Sequence, residues 1–320
     1  MREDSDEAVL AVVALGGNAL QRPGGDDSVA GDFARTTETA RHLVAFAAAG
    51  RRLVVTHGNG PQVGNHLLRS ELAAERGVPY LPLDVCVADT QGGMGYMLQQ
   101  CLTNAFHEAR LPAVVTALVT QVVVDADDPA FHRPSKPIGE MIPPERVEEL
   151  KKLGWELRED AARRGWRRVV ASPDPTEIVE AAAIRAMVTD GVVVVAAGGG
   201  GVPVLQDTSG RLTGAPAVVD KDLASALLAV DLRADALIIL TDVERVSLDY
   251  GGPDERSIEE LTVADARRFL AAGEFPAGSM GPKVEALCRF VEATSGVGVI
   301  TSIERSEEAL DESSGTRITR

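Results

Sequence analysis

Lysine is scarce in this chain, and three of its lysines stand in unusual settings. Only five of the 32 basic residues are lysines, at positions 136, 151, 152, 221 and 283. Lys136 lies in a Pro-Ser-Lys-Pro-Ile-Gly segment, Lys221 stands between two aspartates, and Lys283 follows a Gly-Ser-Met-Gly-Pro segment. A compact ammonium suits a single phosphate oxygen, whereas the planar guanidinium of arginine suits paired oxygens. We therefore predict that these three lysines bind phosphate, and that Lys151 and Lys152 belong to a polar helix surface.

Glycines cluster at three places, each directly after an apolar run. The segments are residues 15–19 (Leu-Gly-Gly-Asn-Ala), 56–64 (Thr-His-Gly-Asn-Gly-Pro-Gln-Val-Gly) and 197–203 (Ala-Gly-Gly-Gly-Gly-Val-Pro). Glycine lets backbone N–H groups approach an anion closely, and a helix that begins there adds its positive dipole end. One such loop is typical of any strand-to-helix turn, but three favour a phosphate or carboxylate cradle. Neither the P-loop nor the dinucleotide-binding pattern is present.

The elements that position these residues alternate along the chain. Short apolar runs predict buried strands, and longer stretches with helical spacing predict helices between them. The predicted strands are residues 9–15, 53–56, 114–124, 192–197 and 236–241. The predicted helices are residues 36–49, 62–76, 90–110, 176–189, 223–230 and 282–294. This alternation predicts an α/β fold with an open, mostly parallel sheet between helices, in which ligands bind at the carboxyl ends of the strands.

Composition excludes several classes of protein. The chain has 320 residues, 45% of them hydrophobic, and a formal net charge of -16. That charge argues against binding to nucleic acid or to anionic membranes, so an anionic substrate needs a local positive pocket. The three cysteines are widely spaced in apolar contexts, which is typical of reduced thiols in a cytoplasmic protein. The first residues lack the features of a signal peptide, and no apolar run is long enough to span a membrane.

Beyond these general features, the chain resembles a carbamate kinase, a member of the amino acid kinase superfamily. The resemblance runs nearly from end to end. The most discriminating segment is Lys-Pro-Ile-Gly at 136–139, because the wider superfamily usually has a lysine in the first glycine loop, where this chain has Asn18. The other matching segments are residues 14–20, 57–64, 95–100, 119–121, 128–131, 165–170, 220–225, 240–243 and 278–286.

The resemblance implies a fold with two lobes. Residues 8–200 would form a lobe for carbamate or carbamoyl phosphate, and residues 201–305 a nucleotide-binding lobe. Residues 125–168 would form a small protruding subdomain, in keeping with the prolines that interrupt the helical and strand patterns there. This subdomain can be a lid that carries Lys136 or a rigid connector. The acidic, polar residues 306–320 are expected to be a flexible tail.

It also implies a role for each matched residue. Lys221 and Lys283 would bind the β- and γ-phosphates and the migrating phosphoryl group, and Asp222 would orient Lys221. Lys136 would hold carbamoyl phosphate or the transferred phosphoryl group. The backbone donors expected to clamp the acyl phosphate lie around Gly16, Gly17, Asn18, Gly58, Asn59 and Gly60. The other residues expected near the nucleotide are Asp242, Tyr250 and Met280, although Asp242 can equally cap a helix or turn.

The implied reaction is reversible phosphoryl transfer between ATP and carbamate, with net formation of ATP from ADP and carbamoyl phosphate. Phosphoryl transfer depends mainly on alignment and charge neutralisation, and carbamate is already an anion. The reaction therefore needs no general base, and Mg²⁺ is expected to arrive with the nucleotide. None of the histidines needs to be a base or a metal ligand, and His57 is interpreted as a hydrogen-bonding support; the five are His42, His57, His66, His107 and His132.

Three other functions stay open. An acetylglutamate kinase would commonly carry an arginine beside the second glycine loop, and residues 57–64 contain none. A non-catalytic nucleotide-binding protein of the same fold is a second alternative, and a dehydrogenase, without its fingerprint, is a distant third. A homodimer is also predicted. Its face would lie on helix 90–110, unless the apolar stripe there belongs to the internal core; the stripe comprises Met97, Leu98, Leu102 and Phe106.

Overall fold

The computed structural model describes residues 8–20, 28–152, 154–159, 165–276, 278–309, 311 and 314–320. The helices are α1 (Val29–Ala48), α2 (Gly60–Ala74), α3 (Leu83–Glu108), α4 (Val147–Lys152), α5 (Ala181–Thr189), α6 (Lys221–Leu232), α7 (Val263–Ala272) and α8 (Met280–Ala293). The strands are β1 (Leu10–Leu15), β2 (Arg52–His57), β3 (Val115–Ala117), β4 (Gln121–Val124), β5 (Lys136–Ile142), β6 (Leu157–Glu159), β7 (Trp166–Val170), β8 (Pro175–Ile178), β9 (Val193–Val195), β10 (Val202–Gln206), β11 (Leu212–Gly214), β12 (Ala236–Thr241), β13 (Val246–Leu248), β14 (Arg256–Ile258), β15 (Glu260–Thr262), β16 (Val297–Ser302) and β17 (Thr316–Thr319).

The central sheet has eight strands in the order β15-β17-β16-β12-β1-β2-β9-β3. All of its pairs are parallel except β16 with β17. A second sheet has the order β11-β10-β4-β8, and a two-stranded sheet joins β13 to β14. The predicted α/β fold with a mostly parallel sheet is therefore confirmed.

Strand β1 shows why the central sheet needs helices on both faces. Every residue of β1 is buried. Val12 and Ala14 pack into one apolar cluster, which includes residues of α6 and α8. Val13 and Leu15 pack into a second cluster with residues of α1 and α3. Because successive side chains of a strand point to opposite faces, an uninterrupted apolar strand requires two covered faces.

The predicted strand at 114–124 is wrong in one respect, since the chain changes sheets within it. Strand β3 forms an edge of the central sheet, and β4 belongs to the second sheet. Between them, the side chain of Gln91 bonds both backbone groups of Thr120, accepting from its N–H at 2.8 Å and donating to its carbonyl at 3.0 Å. Both backbone groups of Thr120 are therefore engaged by α3.

The predicted helix at 176–189 is also wrong at its start. Its first residues form β8, which pairs antiparallel with β4, and α5 begins only at Ala181. The hydroxyl of Thr176 donates to the carbonyl of Val123 at 3.0 Å, which fastens β8 to the second sheet. β-branched residues such as Thr176 and Ile178 fit a strand better than the first turn of a helix.

Strand β17 (Thr316–Thr319) lies within residues 306–320, the segment expected to be a flexible tail. This strand pairs antiparallel with β16 and parallel with β15. Thr316 and Ile318 are fully buried. Both side chains find partners that lie far away in the sequence: the hydroxyl of Thr316 accepts from the N–H of Val246 at 2.8 Å, and Ile318 packs between β15 and β16.

Residues between β4 and β8 include a small antiparallel sheet of order β5-β7-β6. It has its own apolar cluster of Ile142, Val147 and Leu150, against which Trp155 and Trp166 pack. Strand β5 also lies against α2. An added Cβ at Gly64 of α2 would be only 2.2 Å from the backbone of Gly139, so the two backbones touch.

The boundary expected at residue 200 does not divide the main sheet. Strands from both sides of it form one continuous central sheet, because β1 pairs directly with β12. Helix α3 places the stripe discussed above in the core: Leu98 and Leu102 are fully buried and Phe106 is 4% exposed. The interpretation of that stripe as internal core is therefore confirmed. Within the part of the chain that the model describes, no helix is both long and apolar enough to cross a bilayer.

Candidate active site

The carboxyl ends of the central strands meet at one edge of the sheet. Leu15, the last residue of β1, pairs with His57 on one side and with Leu240 on the other. The residues that follow these strands therefore lie side by side, and they include the first two glycine segments. The third segment follows β9, which pairs with β2. All three glycine segments therefore lie on one rim of the sheet.

Three lysines from distant parts of the sequence converge at the N-terminus of α6. The Nζ atom of Lys136, from β5, donates to Oδ2 of Asp220 at 2.5 Å. Lys221 is the first residue of α6, and its Nζ donates to Oδ1 of Asp222. Lys283, from α8, donates from Nζ to Oδ2 of Asp222 at 2.9 Å. Since α6 and α8 both begin here, their positive dipole ends reinforce the lysine charges.

Sequence reasoning did not assign a role to Asp220. Its Oδ1 accepts hydrogen bonds from the backbone N–H groups of Asp222 and Leu223, at 2.9 and 3.4 Å, and so caps α6. Asp220 immediately precedes α6, which begins two residues before the helix predicted at 223–230, so the cap was not evident from that prediction. Its second contact, with Lys136, joins residues 84 positions apart and has no local sequence signal.

Burial and neighbouring charges change the pKa values of this cluster. Burial and the nearby Lys283 lower the pKa of Lys221 to about 8, against the opposing effect of Asp222. Burial alone would lower the pKa of Lys283, but the Asp222 carboxylate outweighs it and raises that pKa. Burial alone would raise the pKa of Asp222, but the two ammonium groups hold it well below its usual range. Asp222 therefore stays ionised, and Lys221 loses its proton more easily than Lys283 does.

The second glycine segment borders this lysine cluster, and the first lies beside the second at the edge of the sheet. An added Cβ at Gly58 would lie 3.3 Å from Cδ of Lys221, so the loop runs along the lysine stem. The N–H of Gly58 already donates to the carbonyl of Leu15 at 3.2 Å, and that of Gly16 to Leu240 at 3.0 Å. These two expected donors are thus engaged by neighbouring strands. The remaining expected donors of these segments are those of Gly17, Asn18, Asn59 and Gly60.

The third glycine segment packs against the second. All four of its glycines are buried. An added Cβ at Gly198 would be 2.3 Å from Nε2 of His57, and one at Gly199 would be 2.2 Å from Nδ2 of Asn59. The glycines of this segment therefore let the side chains of the second loop pack against it.

Two side chains of the second loop are buried and hydrogen-bonded. The Nδ1 atom of His57 lies 3.0 Å from the carbonyl oxygen of Gly58, and burial lowers the pKa of His57 to about 4. Asn59 donates from Nδ2 to the hydroxyl of Thr90 at 2.8 Å. His57 is thus a neutral group that holds its own loop, as interpreted from the sequence. Thr90 was not among the candidate site residues.

A cleft of about 590 Å³ opens beside Lys283, of a size typical of nucleotide or other small-molecule sites. Asp242, Tyr250 and Met280, the other residues expected near the nucleotide, all line it. Asp242 directly follows β12, and its charge contributes to the raised pKa of Lys283. The cleft and the lysine cluster therefore share Lys283. Across the described ranges, His, Cys, Asp and Glu side chains form no group of three or more arranged to hold a metal ion.

Comparisons with known proteins show the family of this chain. Residues 10–302 match the model of the amino acid kinase family. The carbamate kinase of Pyrococcus furiosus is 44% identical over 96% of this chain and 98% of its own length. The carbamate kinase-like protein YqeA of Escherichia coli is 45% identical over 96% of this chain and 98% of its own length. The structure of carbamate kinase from Giardia lamblia bound to AMP-PNP is 40% identical, with a TM-score of 0.89 over 98% of both chains. This chain therefore belongs to the amino acid kinase family and, within it, to the carbamate kinases.

Proposed function

We propose that this protein is a carbamate kinase, which transfers a phosphoryl group reversibly between ATP and carbamate. The observation that carries the proposal is the convergence of Lys136, Lys221 and Lys283 beside a nucleotide-sized cleft. Carbamoyl phosphate is a reactive acyl phosphate, so the net direction that we propose is formation of ATP from ADP.

The nucleotide lies in the cleft with its phosphates toward Lys283 and Lys221. Lys136 approaches the phosphoryl group from the opposite side, since it belongs to the subdomain strand β5. Together the three ammonium groups neutralise the charge on the equatorial oxygens during transfer, which is the main way proteins accelerate this reaction. The carbamate oxygen is already anionic, so it attacks or leaves without a general base. Neutral, buried His57 takes no part in proton transfer.

Magnesium enters this site with the nucleotide. Mg²⁺ keeps several waters and is usually bound by one or two carboxylates together with substrate phosphates. Asp242 fits this role, because its carboxylate lines the same cleft as Lys283. Asp220 and Asp222 are less suited to it, since each already accepts from lysine. When bound, Mg²⁺ would neutralise phosphate charge during transfer.

The direct experiment is to mix the purified protein with ADP, Mg²⁺ and carbamoyl phosphate and to follow ATP with a coupled assay. Formation of ATP well above the uncatalysed background is the expected result. Background rates at saturating substrates would refute the proposal. A parallel reaction with ATP and acetylglutamate tests the alternative that the protein is an acetylglutamate kinase. Activity in that reaction alone would show that the substrate is a larger acid than carbamate.

We propose, in addition, that the protein forms a homodimer through the outer face of α3 and strand β3. Strand β3 is the outermost strand of the central sheet. Tyr96 is 58% exposed, Val114 66% and Val119 51%, and Tyr96 and Val119 line a common hollow of about 360 Å³. An exposed edge strand with apolar neighbours is a site for association. Sedimentation of wild type and of Tyr96→Asp tests this: the variant should be a monomer, and a monomeric wild type would refute the dimer.

A further inference from the structure

Asp220 uses its two carboxylate oxygens for two different tasks. Oδ1 caps α6 by accepting from the backbone N–H groups of Asp222 and Leu223. Oδ2 accepts from Nζ of Lys136, which belongs to the subdomain. The side chain is largely buried, with 14% of its surface exposed, so these contacts are shielded from solvent. One residue thus joins the subdomain to the start of the helix that carries the nucleotide-lobe lysine.

Capping also fixes the backbone of Asp222, and that matters for the other two lysines. The Asp222 carboxylate accepts from Lys221 on one oxygen and from Lys283 on the other. Its side chain is only 4% exposed, so its position depends on the first turn of α6. Through the helix cap, Asp220 therefore influences the placement of the nucleotide-lobe pair. Through its second oxygen it places Lys136 beside that pair.

A cap by itself does not require a negative charge. Helices α1 and α7 are capped by the hydroxyl groups of Ser28 and Thr262. Asparagine and serine cap helices about as well as aspartate does. The second oxygen of Asp220 serves the contact with Lys136, and its charge also raises the pKa values of the nearby Lys221 and Lys283. An ammonium has three N–H donors, so Lys136 can keep this contact and still donate to a phosphoryl oxygen.

We propose that Asp220 is a positioning residue for phosphoryl transfer, which holds Lys136 in place beside Lys221 and Lys283. It acts through Lys136 and does not touch the substrate. Among these lysines and the two aspartates, one positive charge stays unbalanced and is available to an incoming phosphoryl group. The proposal deepens the assignment of this site as a kinase centre and rests on it.

The test is Asp220→Asn, which keeps a capping oxygen and the size of the side chain but removes the charge. We expect kcat to fall about 10- to 100-fold, in the range seen when one electrostatic contact is lost, with little change in KM for ADP. In a Lys136→Met background, Asp220→Asn should lower kcat by less than about 2-fold more, because its partner is already absent. Thr262→Asn changes a cap on α7, remote from the lysines, and is the matched control with unchanged turnover.

A merely structural role would give a different pattern. If Asp220→Asn lowers kcat equally in the wild-type and Lys136→Met backgrounds, or leaves kcat at the wild-type value, the positioning role is overturned. If the wild type itself makes no ATP, the assignment as a carbamate kinase fails first. The placement of Lys136 then has its own readout: lysine-specific ¹⁵N labelling gives ammonium signals from only five lysines. Asp220→Asn should move the Lys136 signal and leave those of Lys151 and Lys152 in place; an unmoved Lys136 signal would overturn the contact itself.

Discussion

Lys283 donates a hydrogen bond of 2.9 Å from its Nζ atom to Oδ2 of Asp222, and this contact ties α8 to the first turn of α6. Both side chains are nearly inaccessible, with 13% and 4% of their surfaces exposed. The same carboxylate also accepts from Lys221. Two ammonium groups that would otherwise repel each other are therefore held together by one buried anion, at the place proposed to bind phosphate.

Removing either nucleotide-lobe lysine should impair turnover severely. We expect Lys221→Met and Lys283→Met to lower kcat on the order of 10² to 10³-fold, as for the loss of one preorganised electrostatic donor. Lys151→Met is the control, because that side chain is 45% exposed and contacts Glu148 and the ring of Trp166, both between β4 and β8. The coupled ATP assay measures all three. Near-normal kcat in Lys283→Met would remove this residue from the catalytic centre.

The pKa of Lys221 predicts how activity depends on pH. Burial lowers it to about 8, so the free enzyme loses this positive charge as the pH rises through 8. Because kcat/KM reports ionisations of the free enzyme, it should fall above about pH 8. Bound phosphate favours the charged form, so kcat itself should fall only at higher pH. Lys221→Arg should lose the fall in kcat/KM near pH 8, since arginine stays protonated. A wild-type profile that is flat to pH 9.5 would contradict this prediction.

His57 should make the fold less stable in mild acid. Its pKa is lowered from 6.5 to about 4 by burial, so between these values the unfolded state binds the proton more readily. Stability then falls as the pH falls, and this one group should lower the free energy of unfolding by about 2 kcal/mol between pH 7 and pH 5. Urea unfolding of wild type and His57→Gln at both pH values measures it. His57→Gln should lose the part of the pH dependence that comes from His57, whereas the control His66→Gln should keep it. If the free energy of unfolding changes equally with pH in the wild type and in both variants, His57 does not have this effect.

The crossing of α2 and β5 leaves no room for a side chain at Gly64. An alanine Cβ there would lie 2.2 Å from the backbone of Gly139, three residues after Lys136 in β5. Gly64→Ala should displace β5 and with it Lys136, and lower kcat at least about 10-fold, because small displacements of catalytic groups are costly. KM for ADP should change little, since the cleft is lined by other elements. Arg69→Ala, at an exposed position of the same helix, should be neutral; wild-type kcat in Gly64→Ala would show that β5 can shift freely.

The last strand should contribute to stability. Ile318 is fully buried between β15 and β16, so Ile318→Ala should lower the free energy of unfolding by about 2–5 kcal/mol. Thr319→Ala, at a partly exposed neighbouring position, is expected to cost much less. Chemical denaturation provides the comparison. Fast hydrogen exchange of the Ile318 amide, together with an unchanged midpoint in Ile318→Ala, would restore the view of a loose tail.

Much of the fold and the identity of the three lysines are readable in the linear sequence. Continuous apolar runs such as β1 and β12 require a sheet covered on both faces, and their alternation with helical patterns requires mostly parallel pairing. The scarcity of lysine, together with the unusual neighbours of three of the five, singles out Lys136, Lys221 and Lys283 in the sequence alone. These signals are local, so they can be recognised without knowing which other segments each one contacts.

Only the tertiary structure decided which contacts those residues make. The bond between Lys136 and Asp220 joins positions 84 residues apart, and the burial of Ile318 depends on β15 and β16. The third glycine segment resembles the other two in sequence. In the structure, however, the side chains of His57 and Asn59 occupy the space that a Cβ atom would need at two of its glycines. Glycine permits close approach to a ligand and to a neighbouring side chain alike. Composition and spacing determined which groups were available, and long-range packing determined what each of them faces.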